Sequence, residues 1–456
     1  GYKFLTRPAR TILPLYAGLV PVGSTFKLAL PLPAPFNTLS SLAGMLLVVV
    51  CGLHVLLYRR AKIPRLPVAA WLLFIAWTAV TLFWSLDSGI SISQLAIALP
   101  LVMMVIIVGF LPVDELDLDV LRVAIIAGGA IVGLYAVYLV ATGKSFATHG
   151  VSQRFALTSS ASQETDPNIL AASLMLPLAM SLQCVVMPRR RWFGRNGWRM
   201  MGTASGLLIL SAVVFTGSRG GLIAAFSAVA VALWVARRIP RAAAAARSVL
   251  ILGAITLVAI IATVGVISVR DPNGTVARTV GSDAVSRLTS ESSSGRTQIW
   301  QTGLIACRTY CAWGVGVGNF ATVYAAIHPF SAVTKNVGGN RPAHDVYLSV
   351  AVESGFLGLT LFALALLSEW MSLSMPQMRS VAVGLKGAIA GLLVSSVFLS
   401  AIWFKYFWLI FCVIRVAENA LMKTETPFPA SVDEPPGGAG VRSASHDFKP
   451  LTSTPV

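Results

Sequence analysis

The chain has 456 residues, of which 56% are hydrophobic and only 12% are charged, and its formal net charge at pH 7 is +17. A soluble protein carries about twice that share of charged residues, so the composition excludes an ordinary soluble domain. Excess lysine and arginine is expected on the cytoplasmic loops of a membrane protein, so the positive charge does not indicate nucleic-acid binding.

Apolar runs recur along the whole chain, and each is long enough to cross about 30 Å of hydrocarbon as a helix. The alternating pattern of an outer-membrane barrel is absent. We therefore expect an all-α polytopic membrane protein with about twelve transmembrane helices. The predicted spans are 11–31, 38–57, 67–85, 94–112, 121–142, 167–187, 200–216, 221–236, 248–268, 345–367, 382–399 and 402–417.

Three basic linkers predict the orientation of these spans, because positive loops are retained in the cytoplasm. They are RRAKIPR at 59–65, RRRWFGRNGWR at 189–199 and RRIPRAAAAAR at 237–247. All three lie inside if the N-terminus is cytoplasmic. The periplasmic side then receives 143–166, a short turn at 217–221 and a large loop at about 269–344. The first apolar run lacks a small-residue cleavage site, so we expect no signal peptide.

The same pattern divides the chain into two parts. Residues 1–417 form one transmembrane domain that includes the large loop at about 269–344, in which we expect short helices. Residues 418–456 form a cytoplasmic tail rich in proline, serine, threonine and glycine, a composition typical of disorder.

Arg219 lies in the short outer turn TGSRGG, at 216–221. An arginine there opposes the usual charge bias, and the neighbouring glycines let the backbone approach a ligand closely. The turn therefore predicts an anion clamp. The alternative is an arginine that binds the carbonyls of a helix end or the phosphates of lipid headgroups.

Two further motifs lie in the large outer loop. SGRTQIWQTGLIACR, at 294–308, has apolar residues at helical spacing and predicts an amphipathic helix on the outer leaflet. Arg296 would lie in its first turn, as an anion ligand or as a snorkelling side chain. GVGVGNF, at 314–320, predicts a tight glycine-rich turn, because a dinucleotide motif needs a preceding strand.

Titratable groups lie around the start of the tenth span, in RPAHDVYLSVAVESGFLG at 341–358. His344 is a candidate base at the outer mouth of the span, with an interfacial structural role as the alternative. Glu353 lies about 13 Å deeper at 1.5 Å per residue, so we expect it to face a partner within the bundle. Asp166, before Pro167, is predicted to cap the sixth span.

The five cysteines divide into two groups. Cys51, Cys184 and Cys412 fall in or near spans and are expected to be small buried residues. Cys307 and Cys311 could pair in an oxidising compartment, although their helical spacing is unfavourable for a disulfide. The cysteines and histidines form no cluster with metal-ligand spacing, and we expect neither a metal nor another cofactor.

Several of these segments together resemble the bacterial O-antigen ligase family. His344 and Asp345, then nine residues, then Gly355-Phe356-Leu357-Gly358 resemble its histidine signature, although the family usually has asparagine, serine or glutamine where Asp345 stands. The segments around Asp166, Arg219 and Arg296 and the motif GVGVGNF are similar to family segments in the same order. The resemblance covers roughly residues 150–365.

The resemblance implies a GT-C-like glycosyltransferase in the bacterial inner membrane, with its active site facing the periplasm. Such an enzyme transfers a polysaccharide from undecaprenyl diphosphate to a hydroxyl of the lipid A–core oligosaccharide. His344 would be the general base, and Arg219 and Arg296 would bind the donor diphosphate. Possible supporting residues are Arg341, Asp345, Tyr347, Asp166 and Asn168.

Other functions remain open from the sequence. O-antigen polymerases and protein O-oligosaccharyltransferases share much of the pattern. A flippase or transporter of lipid-linked sugars is the non-enzyme alternative, but it needs charges distributed through the bundle. The sequence shows few charges within the predicted spans, which favours an enzyme.

Overall fold

A computed structural model describes most of the chain. The described residues are 7–22, 37–58, 66–142, 148–149, 152–157, 166–188, 192–240, 242–247, 295–327 and 340–422. The predicted ninth span at 248–268, the first part of the large loop, the linker at 59–65 and the tail beyond Met422 lie outside these residues.

The described elements are almost all helices. In chain order they are α1 (Pro8–Leu19), α2 (Leu39–Tyr58), α3 (Leu66–Val80), α4 (Ser88–Gly109), α5 (Glu115–Ala141), α6 (Pro167–Ser173), α7 (Met175–Val186), α8 (Gly194–Phe215), α9 (Arg219–Arg237), α10 (Arg296–Tyr310), α11 (Phe320–Ile327), α12 (Val346–Ser372), α13 (Arg379–Ser396) and α14 (Lys405–Leu421). Three short 3₁₀ helices lie at Thr81–Trp84, Pro376–Met378 and Ala401–Trp403. A two-residue antiparallel pair, β1 (Thr148–His149) with β2 (Ser152–Gln153), lies between α5 and α6.

The prediction of an all-α polytopic membrane protein is confirmed. Within the described residues, nine helical segments are long and apolar enough to cross a membrane. The predicted first span at 11–31 differs, because α1 ends at Leu19 after 12 residues. The last helix, α14, has 17 residues and is therefore shorter than these nine segments, and it carries Arg415 and Glu418.

Three helix boundaries differ from the prediction, one because of a cap and one because of a proline. α5 begins at Glu115 rather than at 121, because Asp114 and Asp117 form a capping box at its start. α8 begins at Gly194, so the second half of the basic linker 189–199 is helical. The predicted sixth span is divided at Leu174, since Pro177 has no N–H for the helical hydrogen bond to the carbonyl of Ser173.

The helices pack in close pairs. α9 lies antiparallel to α13, whereas α5 runs parallel to α8 and α1 runs parallel to α5. At Gly387 in α13, an added Cβ would lie 2.7 Å from the Ala228 carbonyl oxygen in α9, so only glycine allows this approach. A cluster of aromatic rings fills the core between α3, α12 and α14. Its members are Trp71, Phe74, Phe362, Phe407, Trp408 and Phe411.

Contacts between loops define two ends of the bundle. At one end, which we call the site end, the Asp87 backbone N–H donates to Asn319 Oδ1 over 3.1 Å, and Phe155 N–H donates to the Phe215 carbonyl over 3.0 Å. At the opposite end, Arg10 forms a salt bridge of 2.6 Å with Asp117. The predicted periplasmic segments that are described all lie at the site end, and the described parts of the basic linkers lie at the opposite end.

Buried charges are more numerous than the sequence analysis expected. Arg415 in α14 forms salt bridges with Glu369 in α12 and with Glu418, and the Trp71 indole N–H also donates to Glu369 over 3.1 Å. These three charged side chains are at most 2% exposed. Helical spacing alone does not show that these side chains face one another.

Candidate functional site

The glycine-rich loop GVGVGNF is folded onto a break in α12. Gly314, Gly316 and Gly318 all have positive φ, between 83° and 91°, which glycine adopts without strain. Gly355 in α12 has φ 73° and ψ −179°, so the helix is interrupted there. The loop fills the interruption: Val315 N–H donates to the Val352 carbonyl over 3.1 Å, and Gly316 N–H donates to the Glu353 carbonyl over 3.0 Å.

The interruption leaves backbone groups of α12 without hydrogen-bond partners inside the helix, and residues outside the helix form hydrogen bonds with them. Trp77 Nε1–H donates to the Ser354 carbonyl over 2.7 Å, and the Phe356 N–H donates to the Cys311 carbonyl over 2.7 Å. An added Cβ on Gly355 would lie 2.8 Å from the backbone carbon of Trp313. Gly355, the first glycine of the Gly-x-x-Gly signature, is therefore the residue of α12 against which the loop after α10 packs.

The carboxyl group of Glu353 holds the glycine-rich loop in place through hydrogen bonds. It is 4% exposed and accepts hydrogen bonds from the Ser349 hydroxyl over 3.0 Å and from the Phe320 N–H over 3.3 Å. The prediction that Glu353 faces a partner within the protein is confirmed. Its role in the structure is to fasten α11 and the glycine-rich loop to the helix that follows His344.

His344 precedes α12 by two residues and lies in the left-handed backbone region, at φ 47°. A residue other than glycine is strained there by about 1 kcal/mol or more, and such strain is common at functional sites. Asp345 caps α12, since its Oδ1 accepts from the Leu348 N–H over 2.9 Å. The Trp300 indole N–H in α10 donates to the Ala343 carbonyl over 3.1 Å, so α10 is fastened beside His344.

Arg296 is the first residue of α10, as predicted, and the helix runs to Tyr310. Ile299 is buried against the protein, whereas Leu304 is 62% exposed on the other face. This distribution agrees with an amphipathic helix. Because α10 is fixed by the bond from Trp300, the half-buried Arg296 guanidinium is held near His344.

Arg219 is the first residue of α9, in the turn at the site end. Ser218 caps this helix, with its hydroxyl accepting from the Gly221 N–H over 3.0 Å. An added Cβ on Gly220 would lie 2.8 Å from the ring of Phe398, and that ring lies 6.4 Å from the Trp300 ring. The helix that begins with Arg219 is thus linked through two aromatic rings to α10 and to the backbone beside His344.

A polar chain links the same turn to Asp166. Asp166 caps α6, as predicted, and accepts from the Asn168 N–H over 2.7 Å and from Asn168 Nδ2 over 2.8 Å. Asn168 Oδ1 accepts from Arg154 Nη2 over 3.0 Å, and Arg154 Nε donates to the Thr216 carbonyl over 2.8 Å. Arg154 therefore joins the start of α6 to the turn before Arg219.

The charges act on one another within this site. Burial lowers the pKa of His344 below its usual 6.5, Arg296 and Arg341 lower it further, and Asp166 opposes them. Burial likewise lowers the pKa of the Arg296 guanidinium, while Asp166 raises it. Burial raises the pKa of the Asp345 carboxyl, against the hydrogen bonds that it accepts from the backbone. The carboxylate that acts on His344 is therefore Asp166, from a different helix.

A cavity of about 530 Å³ opens beside His344 and Asp166. Apolar side chains form most of its wall, among them Val48, Ile97, Leu101 and Met104. Lys405 also lines it, and Lys405 Nζ donates to the hydroxyls of Thr38, Ser40 and Ser41 over 3.1, 2.8 and 2.6 Å. The cavity wall thus combines the titratable groups of His344 and Asp166, apolar side chains, and a lysine with hydroxyl partners.

The predicted supporting residues occupy different places. Asp166 and Asn168 join the polar chain to Arg154, and Arg341 is exposed, three residues before His344. Asp345 is used by the helix cap, and the Tyr347 hydroxyl donates to the Leu393 carbonyl over 2.9 Å, which fastens α12 to α13.

Sequence analysis missed Arg154 and Lys405. Arg154 lies in the segment 143–166, which is predicted to face outward and where an arginine opposes the charge bias just as Arg219 does, so the same signal could have identified it. Lys405 lies in the predicted span 402–417, and its partners lie in the run NTLSS at 37–41, around the start of α2. The two segments are far apart in the chain, and nothing in the sequence indicates that they meet.

Cys307 and Cys311 form a disulfide, with their Cα atoms 4.6 Å apart. The sequence left this pairing open because of the helical spacing. Cys311 is the C-cap of α10, so the pair joins the last turn of the helix to the residue at which it ends. Cys51, Cys184 and Cys412 are buried free thiols, as predicted.

A comparison with known sequence families finds a match to part of the chain. Residues 204–363 match the model of the family described as O-antigen ligase. The matched segment contains Arg219, Arg296 and His344, whereas Arg154, Asp166 and Lys405 lie outside it. A comparison with curated proteins finds no matching relative.

Proposed function

We propose that this chain, which carries the domain of the O-antigen ligase family over residues 204–363, is itself an O-antigen ligase. It would transfer a polysaccharide from undecaprenyl diphosphate to a hydroxyl of the lipid A–core oligosaccharide. The family supports glycosyl transfer in general. The observation that carries the finer assignment is that His344 and Asp166 line one cavity and that Arg296 lies close enough to act on the charge of His344, with the turn of Arg219 fastened beside α10.

The arginines suit a diphosphate leaving group. A diphosphate needs charge stabilisation as it departs, and guanidinium groups stay charged and match phosphate oxygens with two parallel hydrogen bonds. Arg219 and Arg296 begin two different helices, α9 and α10, which are linked through Phe398 and Trp300. They can therefore bind oxygens on different sides of the donor diphosphate.

His344 suits the role of general base. In the step that we propose, the acceptor hydroxyl oxygen attacks the anomeric carbon, a C–O bond forms, and the bond from that carbon to the diphosphate oxygen breaks. His344 accepts the hydroxyl proton, and undecaprenyl diphosphate leaves with the electron pair, so the configuration inverts. The lowered pKa of His344 keeps it neutral and able to accept a proton at neutral pH. No step of this scheme needs a metal ion.

The proposed location is the bacterial inner membrane, with the site end facing the periplasm. The described parts of the basic linkers lie at the opposite end of the bundle, as expected for cytoplasmic segments. The disulfide in α10 lies at the site end, and disulfides form in oxidising compartments such as the periplasm. Both lipid-anchored substrates can reach a site at that surface from within the membrane.

A deletion strain tests the assignment against its alternatives. We expect full-length polymer to accumulate on the lipid carrier while the lipid A–core stays uncapped. Restoration should require wild-type protein and should fail with His344→Ala at equal protein level. Lipopolysaccharide capped with a single repeat would indicate a polymerase instead, and normal lipopolysaccharide with unmodified glycoproteins would indicate a protein glycosyltransferase.

A further inference from the structure

Three buried polar atoms beside the cavity have no hydrogen-bond partner within the part of the chain that the structure describes. They are the amide oxygen of Gln94 and the hydroxyl oxygens of Ser400 and Tyr406, and all three residues line the cavity. Tyr406 is 6% exposed. Buried polar groups nearly always have a partner, so three such atoms around one cavity point to a polar ligand there.

The hydroxyl of Ser400 is not used by the neighbouring backbone. Ser400 is the N-cap of the 3₁₀ helix Ala401–Trp403, a position at which a serine oxygen commonly accepts from a backbone N–H. Its side chain makes no such bond, in contrast to Ser218, whose hydroxyl caps α9. The hydroxyl of Ser400 therefore keeps both its donor and its acceptor capacity for a ligand.

The side chain of Gln94 is placed by the glycine-rich loop. Gln94 lies in the second turn of α4, near the site end of the bundle. An added Cβ on Gly318 would lie 2.5 Å from Gln94 Cγ, so the third positive-φ glycine of GVGVGNF leaves room for this side chain. The loop that packs against the break in α12 therefore also supports one wall of the cavity.

The wall around these atoms fits a saccharide. The rings of Trp403 and Phe404 line the same cavity, and Phe404 stacks on Tyr406 with ring centroids 5.6 Å apart. A sugar ring has C–H faces that pack on aromatic rings, and its hydroxyls both donate and accept hydrogen bonds. An isoprenoid chain would leave all three polar atoms without a partner, which is unfavourable.

The position of His344 assigns this saccharide to the acceptor. His344 lines the cavity, whereas Arg219 and Arg296 are not among the described residues that line it. In a displacement with inversion, the nucleophile attacks the anomeric carbon from the face opposite the leaving group. With the donor diphosphate bound by the arginines, the attacking hydroxyl therefore approaches from the side of the cavity.

We propose that Gln94, Ser400 and Tyr406 form an acceptor subsite, which binds hydroxyls of the lipid A–core oligosaccharide and presents the attacking hydroxyl to His344. This inference rests on the proposed function for the identity of the acceptor. The three residues lie in α4 and at the start of α14, outside the family match at 204–363, so that match assigns them no role.

Binding to the purified full chain tests the subsite without turnover. The probes are lipid A–core, lipid A without core sugars and undecaprenyl diphosphate, and the readout is the apparent Kd of each. We expect Tyr406→Phe and Ser400→Ala each to weaken the binding of lipid A–core by about three- to tenfold, as for loss of one neutral hydrogen bond. The Kd values of the other two lipids should not change, because neither carries core sugars.

The pattern across the three lipids identifies the occupant of the cavity. Equal weakening of lipid A and lipid A–core would place the lipid part of the acceptor there and overturn the subsite. Weakening of undecaprenyl diphosphate alone would place the donor there, with the same consequence. Unchanged Kd values in both variants would also overturn the subsite, since that result is expected if these hydroxyls meet only water.

A matched tyrosine provides the control. Tyr135 in α5 is exposed and does not line the cavity, so Tyr135→Phe should leave all three Kd values unchanged. Tyr406→Phe removes a hydroxyl that has no partner, so its thermal unfolding temperature should equal or exceed that of wild type. If Tyr406→Phe does not fold, the result for Ser400→Ala decides alone.

Failure of the proposed function is recognised separately from failure of the subsite. Wild type that binds lipid A–core through these residues but transfers no polymer to it would overturn the proposed function alone. Absence of lipid A–core binding by wild type would overturn both proposals.

Discussion

Arg219 begins α9 and Arg238 caps its other end, so one helix carries both a candidate site arginine and a matched control. We predict that Arg219→Ala lowers the transfer rate by roughly 10²–10³, as for loss of one group that stabilises transition-state charge. Arg219→Lys should recover little, because an ammonium cannot make the two parallel hydrogen bonds of a guanidinium. The measurement is the initial rate with purified enzyme at equal protein level.

Arg238→Ala should leave that rate near the wild-type value, because Arg238 stacks on Trp234 at the opposite end, 3.9 Å from the ring centroid. Equal rates for wild type and Arg219→Ala would remove Arg219 from the site.

The charges around His344 predict the pH dependence. A general base acts when neutral, so kcat/KM should rise with pH through the pKa of His344 and level off above it, with this acid limb below pH 6.5. Asp166 raises that pKa, so Asp166→Asn should move the acid limb to lower pH while keeping the helix cap. Arg341 lowers it, so Arg341→Gln should move the limb to higher pH.

The shift for Arg341→Gln should be the smaller of the two and should shrink in high salt, because an exposed charge is screened. The pH profiles of the two variants, recorded at two ionic strengths, check these directions. Movement of the limb to higher pH in Asp166→Asn would show that Asp166 does not act on His344 as we infer.

Among the helices, the break at Gly355 connects the part of the site that contains Arg296, at the start of α10, with the part that contains His344, just before α12. The glycine-rich loop enters α12 at this break, and α10, which begins with Arg296, directly precedes the loop. Displacing the loop would therefore shift Arg296 relative to His344. A misplacement of about 1 Å at an active site can lower a rate about 10²-fold.

We predict that Gly355→Ala destabilises the protein by at least about 2 kcal/mol, through its positive φ and the contact with Trp313, and lowers the transfer rate with it. Gly206→Ala in α8 is the control, since its added Cβ would lie 3.6 Å from the nearest side-chain atom, an ordinary contact. Thermal unfolding in detergent compares the two variants. Equal stability of Gly355→Ala and wild type would show that the break is not required.

Much of the fold could be predicted because hydropathy, basic linkers and helix caps are local in sequence. Most of the spans, the cap at Asp166, the start of α10 near Arg296 and the tight glycine turn follow from such signals. The break in α12 could not be predicted. GVGVGNF indicates a turn, but it does not indicate that this turn packs against the break at Gly355. That contact depends on backbone groups of α12 that are exposed only after the helix is interrupted.

The candidate site likewise contains residues that could be predicted from local sequence signals and residues that could not. His344, Arg219 and Arg296 each lie in a recognisable motif, so their type of chemistry could be predicted. Asp345 is next to His344 in sequence, yet it caps α12, and the carboxylate that acts on His344 is Asp166. The cluster of Lys405 depends on contact between the first and last parts of the bundle, which a single sequence does not reveal.

For the whole molecule, orientation in the membrane can be tested with single cysteines. We predict that Gln301→Cys, exposed in α10, is labelled in intact spheroplasts by a membrane-impermeant thiol reagent. Asn196→Cys, exposed near the start of α8, should be labelled only after the membrane is breached. The parent protein, whose described cysteines are either buried or paired, gives the background. The reverse pattern of labelling would place the site end in the cytoplasm.

The central claim is that His344 accepts a proton in a metal-independent transfer from a lipid diphosphate donor. It is tested most directly by ligation in vitro with purified enzyme, donor and lipid A–core in the presence of EDTA. We predict full turnover by wild type and a loss of roughly 10²–10⁴ in His344→Gln, which keeps hydrogen bonding but cannot accept the proton. His54→Gln, a histidine in α2 outside the site, should remain active if it is folded. Abolition of wild-type turnover by EDTA, or normal turnover by His344→Gln, would contradict the account.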